Sequence, residues 1–240
     1  MHILKNLFIV VFLSFLFSIK GEAQTTEQSD FSGLKKCTVF SAGDDNVNSY
    51  RIPSLLTTKD GTLLVFCEAR RDSWRDKSRT DIVVKRSEDT GKTWSVMQDL
   101  TQGITGAYMD PTPILDSITG RIFLFTTFWP SEDHSGTKNR AILITSDDNG
   151  KTWSSPVDVT STIIPAGYHI VGFGPGAGLQ MSGKQFKERL VLPTRVVDSE
   201  RKSAHNVAIY SDNHGRTWIM GGKGDTGDEF QIAESPAGTL

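Results

Sequence analysis

Charged side chains that could bind an anion or transfer a proton gather in one early stretch of the chain. Arg51 lies in the sequence Tyr-Arg-Ile-Pro, and it is followed by Glu-Ala-Arg-Arg at 68–71 and by Asp76. Arginine presents a planar set of donors to anionic oxygens, and a carboxyl group can donate or accept a proton. Arg51 alone would be interpreted as a surface residue at the start of a strand, because arginine is rarely buried without a partner. Its neighbours favour function, because functional groups tend to lie at strand ends and in loops on a rigid scaffold.

A second candidate group comes near the end of the chain, in Glu-Phe-Gln-Ile-Ala-Glu at 229–234. Taken by itself, this segment is better interpreted as a solvated strand that carries two carboxylates on one face. Polar and aromatic groups also occur in Tyr-Met-Asp-Pro at 108–111 and in Phe-Trp-Pro at 128–130. For Met109 and Trp129, core packing is a strong alternative to a binding role.

Three near-copies of one phrase indicate the scaffold that positions these residues. The phrase is Ser-x-Asp/Asn-x-Gly-x-Thr-Trp, and its copies begin at Ser87, Ser146 and Ser211. Its Asp or Asn can bond to its own backbone and its Gly can adopt a positive φ, so each copy predicts a tight turn. A β-rich run precedes each copy, and we expect the Thr-Trp pair to open the next strand, with Trp as an apolar anchor. Repetition about every 60 residues indicates one supersecondary unit used several times.

The remaining sequence predicts further short strands, and no helical periodicity follows the N-terminal segment. Residues 52–58 should pair with 62–68, and 113–115 with 121–127, each pair closed by a turn; 190–193 should precede the strand of the third copy. Strands and turns without helices predict an all-β fold. Four-stranded blades set radially are the natural arrangement for such a repeat.

The repeated phrase is the Asp-box, and it resembles the hairpin signature of sialidase-like β-propellers, where it marks a fold rather than an activity. The order Tyr-Arg-Ile-Pro, Glu-Ala-Arg-Arg, Asp76 and then an Asp-box resembles, more specifically, the N-terminal half of the exo-α-sialidases. This resemblance implies a six-bladed propeller, of which residues 24–240 would supply about three to four blades.

The resemblance also implies roles for the early charged residues. Arg51 matches the arginine that grips the carboxylate of sialic acid, a task that suits the bidentate guanidinium group. Asp76 matches the general acid/base; Asp72 and Asp81 are nearby alternatives, and the position after Arg-Arg favours Asp76. Arg70 resembles the arginine that reaches the far side of the sugar ring.

Other positions are matched by the same resemblance. Glu229 corresponds to the carboxylate that supports the nucleophile, in a family segment of the form Glu-x-Gln-Val-x-Glu. Met109, Asp110 and Trp129 lie where sialidases place residues around the N-acyl group and the ring hydroxyls. The glycine-rich stretch 172–178 resembles a loop over the site, and it lacks the strand–helix context of a dinucleotide-binding turn.

The implied reaction is removal of terminal α-linked sialic acid from glycoproteins, glycolipids or oligosaccharides, with retention of configuration. Sialidases use a tyrosine nucleophile, because the substrate carboxylate would repel an anionic one; in this they depart from the usual carboxylate pair. The implied partners are sialylated glycans, and no metal or cofactor takes part. A non-catalytic carbohydrate-binding Asp-box propeller, or another Asp-box glycosidase, is the alternative.

The N-terminal residues 1–23 predict a secretory signal peptide. Lys5 precedes an apolar run at 7–19, which is too short to span a membrane as a helix, and Gly21-Glu22-Ala23 offers a cleavage site after Ala23. A retained anchor is the alternative. We therefore expect a secreted, periplasmic or cell-surface protein with no membrane insertion after cleavage, and a partial propeller domain at 24–240.

Composition limits the remaining classes. The formal net charge of −2 lacks the basic excess typical of proteins that bind nucleic acid or anionic membranes. Two cysteines, Cys37 and Cys67, are too few for a disulfide scaffold, and a buried free thiol is the ordinary state expected of Cys67, with a Cys37–Cys67 bridge as the alternative. No Cys/His spacing indicates a zinc site. The oligomeric state is not indicated.

The resemblance leaves part of the catalytic set unmatched. The family's tyrosine and its second and third carboxylate-binding arginines follow the segment that contains Glu229, and Tyr50, Tyr108, Tyr168 and Tyr210 all precede it. Arg195 and Arg201 also precede it, so they are not matched to the missing arginines. We therefore expect these 240 residues to be part of a longer enzyme and to be inactive alone.

Overall fold

The computed structural model describes residues 36–102, 105–132, 135–200, 203–224 and 226–240. The predicted signal peptide at 1–23 lies outside these residues. In the described part almost all regular structure is β-strand, which confirms the predicted all-β class. No helix there is long and apolar enough to cross a membrane.

The strands form three consecutive antiparallel units of the kind expected for propeller blades. The first blade contains β1 (Ser49–Thr57), β2 (Leu63–Arg70), β3 (Thr80–Ser87) and β4 (Gln98–Asp99). The second contains β5 (Gly106–Leu115), β6 (Ile122–Pro130), β7 (Arg140–Ser146) and β8 (Val157–Asp158). The third contains β9 (Tyr168–Phe173), β10 (Leu179–Gln180), β11 (Leu190–Asp198), β12 (Ala204–Ser211) and β13 (Ile219–Lys223). A one-turn helix, α1 (Thr160–Ile163), and a 3-10 turn at Asp44–Asn46 complete the regular elements of the described residues.

Strand pairing confirms the predicted hairpins. Strand β1 pairs with β2, β5 with β6, and β11 with β12, each antiparallel. A single parallel pair, Thr80 with Ala107, joins the first two blades. In the third blade β9 and β10 both pair with β11, so the glycine-rich stretch 172–178 interrupts one edge of this blade. The chain thus forms part of a β-propeller, as predicted.

Each Asp-box forms the predicted tight turn, and the same atoms close all three. The hydroxyl oxygen of the first Ser accepts the Gly N–H, and the Asp or Asn side chain accepts the Thr N–H, at distances of 2.8 to 2.9 Å. The glycines have positive φ values of 83°, 74° and 76°. Side-chain bonds therefore replace the strand ladder at these turns.

The expectation that Thr-Trp opens the next strand is wrong for two of the three copies. β13 starts directly after Trp218, whereas β4 and β8 start a few residues after their tryptophans. Serine side chains explain the delay. Ser95 Oγ accepts the Arg86 N–H at 3.0 Å, and Ser154 Oγ accepts the Thr145 N–H at 3.0 Å, so a hydroxyl replaces the carbonyl that a strand would supply.

The second and third Asp-boxes also join their blades to the preceding blade. Trp153 lies edge-on to Phe66 at 5.6 Å, and Trp218 lies edge-on to Phe125 at 4.9 Å, so both indoles enter apolar clusters shared by two blades. In addition, Asn149 donates to Asp60 at 2.7 Å. His214 takes the same place in the third box and contacts Asp116 at 3.0 Å.

The two cysteines do not form the bridge that the sequence left open. Cys37 is exposed and Cys67 is buried, and both are free. The thiol of Cys67 donates to the carbonyl oxygen of Arg51 at 3.0 Å, and it packs beside Val47 and Val83. The interpretation of Cys67 as a buried free thiol is confirmed.

Candidate active site

One pocket of about 230 Å³ brings together every residue that the sequence proposed for the site. Its walls consist of Arg51, Ile52, Arg70, Asp76, Lys77, Met109, Asp110, Trp129, Arg195 and Glu229. Seven of these ten are the predicted residues, and Ile52, Lys77 and Arg195 are additions. The geometry shows their proximity, and their individual roles stay predictions.

Two matching β-bulges aim residues of β1 and β5 into the pocket. The pairing register shifts between Arg51 and Ser54 in β1, and between Met109 and Thr112 in β5. In each bulge the residue before a proline has a positive φ: 52° at Ile52 and 58° at Asp110. A bulge turns side chains away from the regular alternation, and a positive φ at a β-branched residue is strained. The sequences Tyr-Arg-Ile-Pro and Tyr-Met-Asp-Pro are therefore equivalent parts of two blades.

Arg70 is the buried centre of the charged network. Its side chain is only 1% exposed. Nε and Nη2 donate to Glu68 Oε2 at 2.9 and 2.7 Å, and Nη1 donates to the carbonyl oxygen of Trp74 at 2.6 Å. Nη2 also lies 2.7 Å from Asp76 Oδ1. Arg70 therefore holds the loop that carries Asp76 through both a backbone and a side-chain contact.

Asp76 lies between two guanidinium groups at the pocket mouth. Arg51 Nη1 is 3.3 Å from Asp76 Oδ1, the oxygen that also contacts Arg70. The side chains of Arg51 and Asp76 are 44% and 64% exposed, so a ligand can reach both. Asp72 pairs with Arg79, and neither it nor Asp81 lines the pocket.

Two buried carboxyl groups lie behind this mouth. The Asp110 N–H donates to Glu68 Oε1 at 3.0 Å. Burial raises the pKa of Asp110 to about 7; the neighbouring Glu68 carboxylate acts in the same direction, and Arg195 opposes them. Burial also raises the pKa of Glu68, against the opposing effects of the Asp110 amide and Arg70. Asp110 is therefore poised between its charged and neutral forms near neutral pH.

Arg195 is the main residue that the sequence analysis missed. It lies in β11 among buried residues, its side chain is 10% exposed, and its Nη2 is 3.4 Å from Asp110 Oδ2. Its Nη1 is 2.6 Å from Asp228 Oδ1. A signal was present, because an arginine inside an apolar run such as Leu-Val-Leu-Pro-Thr-Arg-Val-Val needs buried partners.

Lys77 was also not predicted from the sequence, and it contacts Trp129 in the pocket wall. The Lys77 Nζ lies over the Trp129 ring, 4.2 Å from its centroid. An ammonium group in this position is attracted by the electrons of the ring face. Lys77 follows Asp76 in the loop, so this contact holds the loop against β6 on the second blade.

Glu229 and Glu234 have different surroundings, and neither lies in a strand. Glu229 lines the pocket, and within the described residues its carboxylate makes no hydrogen bond or ion pair. Glu234 accepts hydrogen bonds from the N–H groups of Ser182 and Gly183 at 2.9 and 2.6 Å, and from the Ser182 hydroxyl at 2.7 Å. The alternative of a solvated strand is therefore wrong: Glu234 anchors the segment and Glu229 faces the pocket.

The pocket offers cations to an anionic ligand together with carboxyl groups for proton transfer. Arg51, at the mouth, is the most accessible of its arginines, and Asp76 beside it can exchange protons with a ligand or with water. Among the described residues no group of three or more His, Cys, Asp or Glu side chains could hold a metal ion. The arrangement suits acid–base chemistry on an anionic substrate.

Comparison with known proteins gives a consistent result. A family model described as a BNR repeat-like domain matches residues 52–228. A sialidase of Bacteroides fragilis (strain YCH46) is 32% identical over 222 residues, which cover 83% of this chain and 40% of the relative. A sialidase of Paraclostridium sordellii is 32% identical over 209 residues, which cover 79% of this chain and 50% of the relative.

A solved structure shows the same similarity in three dimensions. The Hadza microbial sialidase Hz136 matches with a TM-score of 0.69 at 28% identity, covering 77% of this chain and 39% of that chain. The chain spans about half the length, or less, of the curated relatives described above. The predicted resemblance to Asp-box sialidases is confirmed, and the chain belongs to the family of BNR repeat-like domains.

Proposed function

We propose that the protein is an exo-α-sialidase that removes terminal α-linked sialic acids from glycoproteins, glycolipids or oligosaccharides with retention of configuration. The observation that carries the proposal is the convergence of Arg51 and Arg70 on Asp76 in a pocket that also contains Glu229. Similarity to sialidases supports the same substrate class.

Arg51 binds the substrate carboxylate in this proposal. It is 44% exposed, whereas Arg70 is buried against Glu68, so Arg51 is the arginine free to exchange partners. A planar guanidinium group can bind a carboxylate through two parallel hydrogen bonds. The incoming carboxylate replaces Asp76 on Arg51, so that Asp76 loses one of its two guanidinium contacts.

Asp76 then donates its proton to the glycosidic oxygen as the bond to the anomeric carbon breaks. The nucleophile forms a bond to the anomeric carbon in this first step. In the second half-reaction the ionised Asp76 takes a proton from water as the water oxygen attacks the anomeric carbon, the bond from that carbon to the nucleophile breaks, and the nucleophile regains its proton from Glu229. Arg51 stabilises the carboxylate of the oxocarbenium-like transition state in both steps. The exposure of Asp76 at the mouth is consistent with contact to a leaving sugar and to water.

Glu229 takes the proton of the nucleophile in this scheme. The nucleophile is proposed to be a tyrosine, because a neutral phenol avoids the repulsion that a carboxylate would meet from the substrate. None of the residues that line the described pocket is a tyrosine. The proposal therefore requires a tyrosine, and two further arginines, from sequence that follows Glu229 in the intact protein.

Asp110, Arg70, Met109 and Trp129 are proposed to surround the sugar ring and its N-acyl group. Asp110 and Arg70 supply polar contacts to ring hydroxyls, and Met109 and Trp129 supply apolar surface. The N-terminal signal peptide, with cleavage after Ala23, is proposed to direct the protein out of the cytoplasm.

The test is release of free sialic acid from sialyllactose by the intact protein encoded by the gene. We expect release, and we expect Asp76→Ala to lower kcat by about 10²-fold or more, as for loss of a general acid. Asp72→Ala, in the same loop and outside the pocket, is the matched control and should leave kcat unchanged. Binding of sialyllactose without release would support a non-catalytic carbohydrate-binding propeller instead.

A further inference from the structure

Arg195 connects two parts of the pocket that lie far apart in sequence. From β11 its Nη2 contacts Asp110 Oδ2 on β5, and its Nη1 contacts Asp228 Oδ1 at 2.6 Å. Asp228 directly precedes Glu229, and its own side chain is 90% exposed. A largely buried guanidinium group thus reaches outward to the segment that carries Glu229.

Gly172 leaves the space that this contact needs. A Cβ atom at Gly172 would stand 2.7 Å from Arg195 Nη2 and 2.8 Å from Asp110 Oδ2. These distances are too short for a carbon atom, so any side chain at Gly172 would push the two charged groups apart. Strand β9 therefore accommodates the Arg195–Asp110 pair through the absence of a side chain at this one position.

The segment that carries Glu229 depends on its contacts for its position. The described residues from 226 onward contain no strand or helix, so no ladder of backbone hydrogen bonds fixes them. On the C-terminal side of Glu229 the segment is held by Glu234, which accepts N–H groups of Ser182 and Gly183. On the N-terminal side the Arg195–Asp228 contact is the adjacent anchor.

We propose that Arg195 is a positioning residue that holds Asp110 and, through Asp228, Glu229 in place around the substrate. This inference rests on the proposed sialidase function and deepens it, because it assigns a determinant of the geometry of the same site. Arg195 acts through its two carboxylate partners. A small displacement of groups around a reacting centre can lower turnover by about 10²-fold.

The charges around Asp110 provide a second way to detect the proposed role of Arg195, through the pH dependence of substrate binding. Glu68 on β2, Asp76 in the loop after β2, and Glu229 in the C-terminal segment all raise the pKa of Asp110, and Arg195 on β11 lowers it. Arg70 lies behind Glu68 and neutralises it. Removal of the Arg195 charge therefore makes Asp110 ionise at higher pH, so the pH dependence of substrate binding should move upward.

The experiment compares Arg195→Gln, Asp228→Asn and Gly172→Ala with wild type in the intact protein. Sialyllactose is the substrate, kcat and KM are measured across pH, and crystal structures show the position of Glu229. Asp228→Asn changes only an exposed side chain, so it remains informative if Arg195→Gln folds poorly. Arg121→Gln is the matched control, because Arg121 forms a bidentate pair with Asp147 and neither residue lines the pocket.

We expect Asp228→Asn to lower kcat by about tenfold or more with KM nearly unchanged, and Arg195→Gln to lower kcat further and raise KM. Gly172→Ala should have effects on kcat and KM similar to those of Arg195→Gln. A further variant, Arg195→Lys, keeps the charge and should lose less activity than Arg195→Gln, and the control should match wild type. Wild-type kcat, KM and pH profile in Arg195→Gln and Asp228→Asn, or an equal loss in Arg121→Gln, would overturn the proposal. If wild type releases no sialic acid, the proposed function is wrong, and the crystal structures alone then test the positioning role of Arg195. A displaced Glu229 in Arg195→Gln would support that role, and an unmoved Glu229 would reject it.

Discussion

Arg70 Nη2 lies 2.7 Å from Asp76 Oδ1, and this contact joins a buried side chain to one that is largely exposed. Arg70 is itself fixed by two hydrogen bonds to Glu68 in the same strand. The position of the proposed general acid is therefore set from inside the first blade. Because the loop carbonyl of Trp74 also accepts from Arg70, one side chain orients both the loop and its carboxylate.

This network predicts that Arg70→Met destabilises the protein strongly. The substitution leaves Glu68 buried without its cation, and breaking a buried pair costs about 3 to 5 kcal/mol in free energy of unfolding. Denaturant midpoints measure the change. Arg79→Met, which removes an exposed pair with Asp72, should have a much smaller effect. Adding Glu68→Gln to Arg70→Met should recover part of the loss, and no recovery would argue against an uncompensated charge as the cause.

The accessible position of Arg51 predicts that Arg51→Lys weakens binding of free sialic acid by about tenfold. Lysine keeps the charge and loses the second parallel hydrogen bond, and a charged hydrogen bond contributes about 1.5 kcal/mol. Isothermal titration calorimetry gives the Kd. Arg75→Lys, in the loop and outside the pocket, should bind as wild type does. Equal affinities for wild type and Arg51→Lys would exclude a bidentate contact at Arg51.

The raised pKa of Asp110 predicts a specific pH dependence of stability. The carboxyl group titrates near 3.9 when unfolded and at about 7 when folded, so between these values the folded state binds more protons. Its contribution to stability is fully present below the unfolded pKa and is lost as pH rises through about 7.

Asp110→Asn removes this titration. The free energy of unfolding of wild type, minus that of the variant, should therefore decrease as pH rises from about 4 to about 7. Denaturant unfolding at intervals of pH measures the difference. Asp72→Asn provides the control, and its curve should run parallel to that of wild type in this range. A difference for Asp110→Asn that is constant, or that grows with pH, would contradict the assignment.

Packing between blades predicts that alanine destabilises the protein by different amounts at two glycines with similar φ angles. Gly215 has φ of 76°, and a Cβ there would overlap the ring of Phe123 in the preceding blade. Gly215→Ala should lower the free energy of unfolding by about 2 to 4 kcal/mol, because of strain at positive φ and overpacking against the ring. Gly120 has φ of 80° and open space around an added Cβ, so Gly120→Ala should lower the free energy of unfolding by only about 1 kcal/mol. Equal thermal unfolding midpoints for the two variants would argue against the inter-blade contact.

The repeated phrases predicted much of the fold because their turn chemistry is local. Ser, Asp or Asn, and Gly at fixed offsets define each Asp-box whatever packs around it, and the same Asp or Asn bond to the Thr N–H occurs in all three copies. The delay of β4 and β8 was not predicted, because a serine hydroxyl can replace a strand carbonyl without changing the pattern of hydrophobic residues. The partners of Asn149 and His214 were also hidden, because they belong to other blades.

The site shows the same division between local and distant signals. Arg51, Asp76 and Glu229 could be proposed because they occur in phrases that resemble those of a known family. Arg195 could not, because its contacts with Asp110 and Asp228 span three separate segments of the chain. Its position in a buried strand was the one local sign that it needed partners.

A crystal structure of the intact protein with free sialic acid will show whether this pocket binds the sugar through Arg51. We expect the sugar carboxylate to form two hydrogen bonds with Arg51, Asp76 to have left that guanidinium group, and ring hydroxyls to contact Asp110. Sialic acid bound outside the pocket, or a bound sugar whose carboxylate does not contact Arg51, would rule out this binding mode.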